Sequence, residues 1–166
     1  MGTLANQLSV SRATLYRWVG SREQLLEDVL EQLTLQFVTA ALAECHGQGD
    51  ERVLDFARHV MLSTFEFGPV RSFVAREPEL ALKLILGTTG AVHRRLTEGL
   101  ATVVADQYPP PDLAAIEPLL DVIVQTCTAL QWSTFAVGDE PPIDDAIAII
   151  GLVLKAARSD TTGAGA

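Results

Sequence analysis

Apolar side chains recur every three or four positions along most of this chain, which is the spacing of a helix with one buried face. The clearest stripe runs through residues 22–45 and is built from leucine, valine and phenylalanine. No stretch alternates β-branched and polar residues up to an Asn-Gly or Asp-Gly turn, so no strand is predicted. The pattern therefore predicts an all-α protein.

Glycine and proline divide this pattern into separate helices. Asp50 is placed to cap the fourth of them. Pro118 would interrupt a helix that began at Asp112, so the helix in that region is expected to start near Glu117. The predicted helices span about 3–8, 11–19, 22–45, 50–65, 70–76, 78–107 with a break near 87–90, 117–138 and 143–158.

Composition narrows the class of protein. Hydrophobic residues make up 48% of the 166 residues, so a net charge of −9 does not indicate a disordered chain. Two cysteines, Cys45 and Cys127, are too few for a disulfide framework, which favours a reducing compartment. The sequence has no signal-peptide pattern, and its longest uncharged run, 122–138, is too short and polar to span a bilayer. We therefore expect a soluble cytoplasmic protein without a membrane partner.

Charge is unevenly distributed along the chain. Residues 1–26 hold Arg12, Arg17 and Arg22 against the single acidic Glu23, a net charge of +2, which leaves −11 for the remainder. A small basic head on an acidic body can place one surface on nucleic acid phosphates while the rest is repelled.

The basic head is predicted to form a helix, a tight turn and a second helix. Small Ala5 suits a close helix crossing, and Leu8 and Leu15 are placed in a shared apolar seam with Leu4 and Val10. Spacing alone fits an ordinary helical hairpin with a solvated face as well as a helix that reads a DNA major groove. In the second case the DNA-contacting residues are Ser11, Arg12, Ala13, Thr14, Tyr16 and Arg17.

This head resembles the DNA-binding signature of the TetR family of bacterial transcriptional regulators. The matching residues are Leu4-Ala5, Val10-Ser11, Thr14-Leu15-Tyr16, Trp18 and the run from Gly20 to Leu26. The resemblance implies a homodimer that binds operator DNA, most simply as a repressor, and that a small-molecule effector releases. It also implies an all-α fold in which a helical regulatory domain forms a four-helix bundle across the dimer axis.

Family members carry a further helix ahead of this signature, whereas this sequence begins within the expected second helix. We therefore predict a truncated helix-turn-helix region at 1–26, a ligand-binding and dimerisation domain at 27–158 and a flexible tail at 159–166. The alternative is a dimerisation and small-molecule-binding module that lacks competent DNA binding because the first helix is absent.

The last two predicted helices are apolar on more than one face; in 143–157, for example, 11 of 15 residues are apolar. A helix of this kind is buried on both sides, and in a small domain one side is more readily a subunit interface than core. The predicted interface residues are Ile123, Leu130, Phe135, Ile143, Ile147, Ile150 and Leu154.

An effector cavity requires apolar walls and a few hydrogen-bonding groups. Phe56 and Phe73 are more typical of core residues, and His59 and His93 of surface residues, whereas Trp132 fits a dimer contact equally well. The candidate pocket residues are Phe56, His59, Ser63, Phe67, Phe73, Thr88, Thr89, Val92, His93, Gln125, Thr128 and Trp132.

Catalytic and metal-binding signatures are missing from the sequence. The three histidines lack paired metal-ligand spacing, and neither a glycine-rich phosphate loop nor a nucleophile elbow is present. We expect neither an enzyme nor a bound metal or cofactor.

Overall fold

The computed structural model describes residues 1–163, and every regular element within that range is helical, as predicted. A 3₁₀ turn at Glu117–Leu119 joins the eighth and ninth helices. The α-helices are α1 (Gly2–Gln7), α2 (Arg12–Val19), α3 (Arg22–Glu44), α4 (Asp50–Glu66), α5 (Gly68–Arg76), α6 (Pro78–Leu86), α7 (Ala91–Gln107), α8 (Pro110–Ile116), α9 (Leu120–Ala136) and α10 (Ile143–Gly163).

The predicted break near 87–90 is confirmed, because α6 ends at Leu86 and α7 begins at Ala91. Helix α8 was not predicted. Proline fits the first turn of a helix, so the proline run begins α8, and the 3₁₀ turn accommodates Pro118 between α8 and α9. Helix α10 continues past residue 158 to Gly163, and residues 164–166, the end of the predicted tail, lie outside the described residues.

Asp50 does not cap α4 as predicted. Gly49, with a φ of +59°, takes the capping position, and Asp50 is the first residue of the helix. The Asp50 carboxylate instead accepts a hydrogen bond from the Tyr108 hydroxyl at 2.6 Å and pairs with the Arg158 guanidinium. This cluster ties the start of α4 to the ends of α7 and α10.

Two hydrophobic clusters form the interior. The larger joins α3, α4, α7, α9 and α10 around Phe56, Val104 and Leu154. The smaller is built from α5, α6 and neighbouring helices around Val74 and Trp132. Helix α3 contributes to both clusters, so it forms the shared wall of the interior.

The stretch Pro110–Ala136 is long and apolar enough by composition to cross a bilayer. The 3₁₀ turn divides it into α8 and α9, and α9 packs against α4, α6, α7 and α10. A single stretch of this kind is weak evidence for a membrane span.

Helix α7 approaches α3 most closely at Gly99. A Cβ atom at this position would lie 2.5 Å from Val38 Cγ1 and 3.2 Å from the Phe56 ring. Only a residue without a side chain allows this crossing, because both neighbours are themselves buried.

We predict that Gly99→Ala lowers the free energy of unfolding by about 1–3 kcal/mol, because the added methyl group overpacks the α3–α7 crossing. Gly151→Ala on α10 is the matched control: its methyl group would lie 3.6 Å from Leu54 Cδ1, an ordinary contact. The control should be neutral or more stable by up to about 1 kcal/mol from helix propensity. Chemical denaturation checks both values, and equal stability of the two variants would contradict the crossing argument.

Candidate functional site

The basic head is formed by α1 and α2, which meet at the buried Ala5 and Leu15. Ser11 caps α2, as predicted: its hydroxyl accepts a hydrogen bond from the Thr14 backbone N–H at 3.0 Å. Leu8 was predicted to lie in the apolar seam, but 52% of its surface is exposed, because α1 ends one residue before it and the chain turns there.

The outer surface of α2 carries most of the residues predicted to contact DNA. Ser11, Arg12, Ala13, Tyr16 and Arg17 are exposed, and Thr14 is half-buried. Among the side chains that the structure describes, no carboxylate pairs with either arginine. The two positive charges project from different sides of α2, and the Arg12 guanidinium lies beside Gly2 at the start of α1.

Two ion pairs join this head to the body of the protein. Arg22, at the start of α3, donates two hydrogen bonds to the Glu77 carboxylate, at 2.8 and 2.6 Å, and thereby holds the pKa of that carboxyl below its usual value. Next to it, Lys83 Nζ lies 2.5 Å from Glu23 Oε1. The corner between α5 and α6 is thus fastened to the point where α2 leads into α3.

A cavity of about 90 Å³ lies at the boundary between the two hydrophobic clusters. Helices α3, α4, α5, α6, α7, α9 and α10 all contribute to its wall, and every lining side chain is uncharged. The polar lining residues are Thr34, Thr64, Cys127, Thr128 and Gln131.

Gln131 is the most deeply buried of these polar groups, with 3% of its surface exposed. Its side-chain nitrogen donates to the Met61 carbonyl at 2.8 Å and to Thr64 Oγ1 at 3.2 Å. Because a backbone carbonyl can only accept, the orientation of the amide is determined, and its oxygen is the atom left without a donor among the described residues.

Burial raises the pKa of the Cys127 thiol to about 11. The sulfur lies 4.0 Å from the Ala146 carbonyl oxygen, which can accept only a weak hydrogen bond from it. The thiol is therefore protonated at neutral pH, and the cavity wall carries no charge from this residue.

The structure distributes the predicted pocket residues over several places. Phe56, Val92, Thr128 and Trp132 line the cavity. Thr88, Thr89 and His93 lie in a shallower surface cleft with Asp121, where His93 Nε2 is 3.1 Å from a carboxylate oxygen. His59, Ser63, Phe67, Phe73 and Gln125 are outside both.

Those five residues have other surroundings. His59 faces Glu44 at 3.1 Å on the surface, and Gln125 is exposed on α9. The Phe67 ring meets the cavity-lining Phe37 edge-on, with ring centroids 5.6 Å apart. Ser63 is half-buried, and Phe73 packs against the smaller cluster.

Sequence reasoning missed Gln131, Thr34 and Thr64 as cavity residues. Gln131 stands three residues after Thr128, so the two lie on the same side of α9. This spacing of two polar residues on one side of α9 could have indicated that Gln131 lies in the cavity wall with Thr128.

The outward surface of α9 and α10 differs from the predicted interface. Ile123, Ile147, Ile150 and Leu154 are buried in the core of the protomer itself, and Leu130, Phe135 and Ile143 are half-buried. The apolar residues that face outward are Val122 at 62% exposure, Ile149 at 38% and Leu152 at 68%, with the small residues Ala148 and Ala156 beside them on α10.

Comparison with known proteins identifies related chains. Residues 48–155 match a sequence model described as the tetracyclin repressor-like, C-terminal domain. The chain is also similar to the solved structure of the R. erythropolis transcriptional repressor QsdR from the TetR family, with 29% identity and a TM-score of 0.78. That alignment covers 93% of this chain and 83% of the other. No curated protein matches.

We predict that Cys127 in the folded protein reacts with iodoacetamide at pH 8 at least about a hundredfold more slowly than in the unfolded chain. A pKa raised from 9.0 to about 11 alone lowers the thiolate fraction by that factor, and burial adds to it. Mass spectrometry of a Cys45→Ala variant, with and without denaturant, measures the rates. Equal rates would show that the cavity wall is open to the reagent.

Proposed function

Because the chain belongs to the TetR family of transcriptional regulators, we propose that it binds operator DNA as a homodimer and that a small-molecule effector releases it from the DNA. The observation that carries this proposal is the uncharged cavity, whose wall includes the same helix, α3, that leads from the head. We expect the protein to act in the cytoplasm without a cofactor or a catalytic step.

The exposed side of α2 supports the DNA-binding part of the proposal. Arginine bonds guanine or phosphate in two places at once, threonine serves either role, and tyrosine commonly reaches phosphate. Arg12, Tyr16 and Arg17 are exposed on α2 and Thr14 is half-buried there, and we expect these four residues to make such contacts. In a twofold dimer the two copies of α2 enter successive major grooves of a pseudo-palindromic site.

The outward face of α9 and α10 supports the homodimer. Val122, Ile149 and Leu152 leave an apolar surface on the two helices that form the four-helix bundle in TetR regulators. Ala148 and Ala156 are small enough for the partner's helices to approach closely. An interface of this kind buries on the order of 2,000 Å² or more.

A route from the cavity to the head supports the effector response. Val70 on α5 and Ile85 on α6 line the cavity, and Glu77 between them holds Arg22 at the start of α3. A ligand that displaces α5 and α6 changes the angle at which α3 presents the head. A coupling free energy of about 1–3 kcal/mol corresponds to a 5–150-fold change in operator affinity.

The second candidate function is a dimerisation and ligand-binding module without competent DNA binding. One observation favours it: the head holds few buried side chains, while Leu8 and Trp18 stand 52% and 62% exposed. The two candidates differ in whether the protein binds specific DNA at all.

We predict that replacing both Arg12 and Arg17 by alanine weakens binding to DNA from the gene's upstream region by at least tenfold at moderate salt and reduces the salt slope by about 2. Arg76→Ala, an exposed arginine on α5, is the control and should leave affinity nearly unchanged. Fluorescence anisotropy across a salt series measures both effects.

Equal affinity of the double variant and the unmodified protein would contradict the role of α2. If the unmodified protein shows no preference for upstream DNA over unrelated DNA, the second candidate function is favoured. Repeating the titration with a synthetic pseudo-palindrome selected from random DNA excludes an operator elsewhere.

We predict that Leu152→Asp converts the dimer to a monomer, because it places a charge in the centre of the apolar outward face. Leu35→Asp is the matched control, since Leu35 is an exposed leucine on α3, a helix that does not pack substantially against α9 or α10. Light scattering coupled to size exclusion gives the mass of each variant. A dimeric Leu152→Asp protein would place the interface elsewhere.

A further inference from the structure

The charge of the cavity wall limits what it can hold. Every residue that lines it is uncharged, and the wall is made mainly of aliphatic and aromatic side chains. A carboxylate or ammonium group that entered would lose its hydration without gaining an opposite charge. The cavity therefore suits an uncharged ligand.

The Gln131 amide places one unused hydrogen-bonding group in this wall. Both of its N–H donors are occupied, by the Met61 carbonyl and Thr64 Oγ1, whereas its oxygen Oε1 accepts no hydrogen bond from the described residues. This oxygen is not fully buried, so a hydrogen-bond donor of a ligand can reach it. A ligand with a hydrogen-bond donor completes this amide.

Thr128 offers a second hydrogen-bonding group beside Gln131, which indicates what kind of donor group the ligand carries. It lies one turn before Gln131 on the same side of α9, it also lines the cavity, and its hydroxyl makes no hydrogen bond within the described part of the chain. A ligand hydroxyl can donate to Gln131 Oε1 and accept from Thr128 Oγ1 at the same time. A ketone, ester or ether lacks the donor that Gln131 requires.

The size of the cavity limits the hydrocarbon part of the ligand. Its volume of about 90 Å³ is smaller than the roughly 150 Å³ cavity that accommodates benzene, and much smaller than a drug-sized pocket. Met61 in the wall has an unbranched side chain that can adjust its shape. A compact body smaller than benzene, on the order of four carbons, fits these limits.

We propose that the ligand of this cavity is a small uncharged alcohol, whose hydroxyl donates to Gln131 Oε1 and whose hydrocarbon body fills the apolar space between the two core clusters. The proposal rests on the effector role argued above and names the chemical class of the effector.

Tryptophan fluorescence can report the binding directly. The chain has two tryptophans, and Trp18→Phe leaves only Trp132, which lines the cavity. In this variant 1-butanol and 2-butanol are titrated beside diethyl ether, which has the same number of heavy atoms, and beside butanoate at pH 7. We expect saturable binding of at least one alcohol, about tenfold weaker binding of the ether, and no binding of butanoate.

Gln131→Leu tests the contact itself by removing the oxygen while keeping a similar volume. We expect the preference for alcohol over ether to disappear in this variant and to persist in Gln32→Leu, which replaces an exposed glutamine on α3. Gln131→Leu also loses the bonds to Met61 and Thr64, so thermal unfolding of each variant is measured first. If it does not fold, Thr128→Val takes its place. This variant removes a donor that alcohol and ether oxygens can both accept from, so both affinities should fall while the preference for alcohol, which depends on Gln131 Oε1, persists.

The outcomes separate the ligand class from the proposed function, because binding is measured without DNA. Ether bound as tightly as alcohol, a tighter-binding carboxylate, or no binding of either alcohol overturns the inference. Operator release by a charged compound, without alcohol binding, overturns it and leaves the regulator function intact. Alcohol binding with the expected preference but without any operator binding supports the inference and contradicts the function.

Discussion

At Gly99 the backbone of α7 lies so close to α3 that a single methyl group would come within 2.5 Å of Val38. Helix α3 begins at the ion pairs that hold the head and continues as one wall of the cavity. The crossing of α3 and α7 therefore fixes the position of the helix that both lines the cavity and leads to the head.

On another side of the cavity, the Gln131 amide joins two of the helices that line it. It bonds α9 to the Met61 carbonyl of α4, so the helix that presents an apolar face outward is also tied to the ligand wall. The cavity thus lies between a fixed crossing on one side and the α9–α10 surface on the other. In the proposed function, an effector in the cavity would contact both α3, which leads to the head, and α9, which belongs to the proposed dimer surface.

Residue preferences and hydrophobic spacing within short segments were sufficient to predict the all-α fold class and several of the helix ends. The break between α6 and α7 and the Ser11 cap follow from glycine and serine preferences that depend on few neighbours. Helix α8 was missed because Pro118 was taken to exclude a helix before it, whereas the short α8 ends at Ile116 and a 3₁₀ turn holds Pro118.

The faces of α9 and α10 could not be assigned in the same way. Both helices are apolar nearly all round, so periodicity does not distinguish Ile150, which is 2% exposed, from Leu152, which is 68% exposed. Which side is covered depends on α4 and α7, and these helices are distant in sequence. The role of Gln131 could not be predicted for the same reason, since its side-chain nitrogen donates to Met61 and Thr64, seventy and sixty-seven residues earlier in the chain.

The two ion pairs that join the head to the body, Arg22–Glu77 and Lys83–Glu23, are substantially exposed to solvent. Exposed ion pairs are weak and are screened by dissolved ions. Dissolved salt therefore weakens the contact between the corner of α5 and α6 and the start of α3, so the head is held to the body least firmly at high ionic strength.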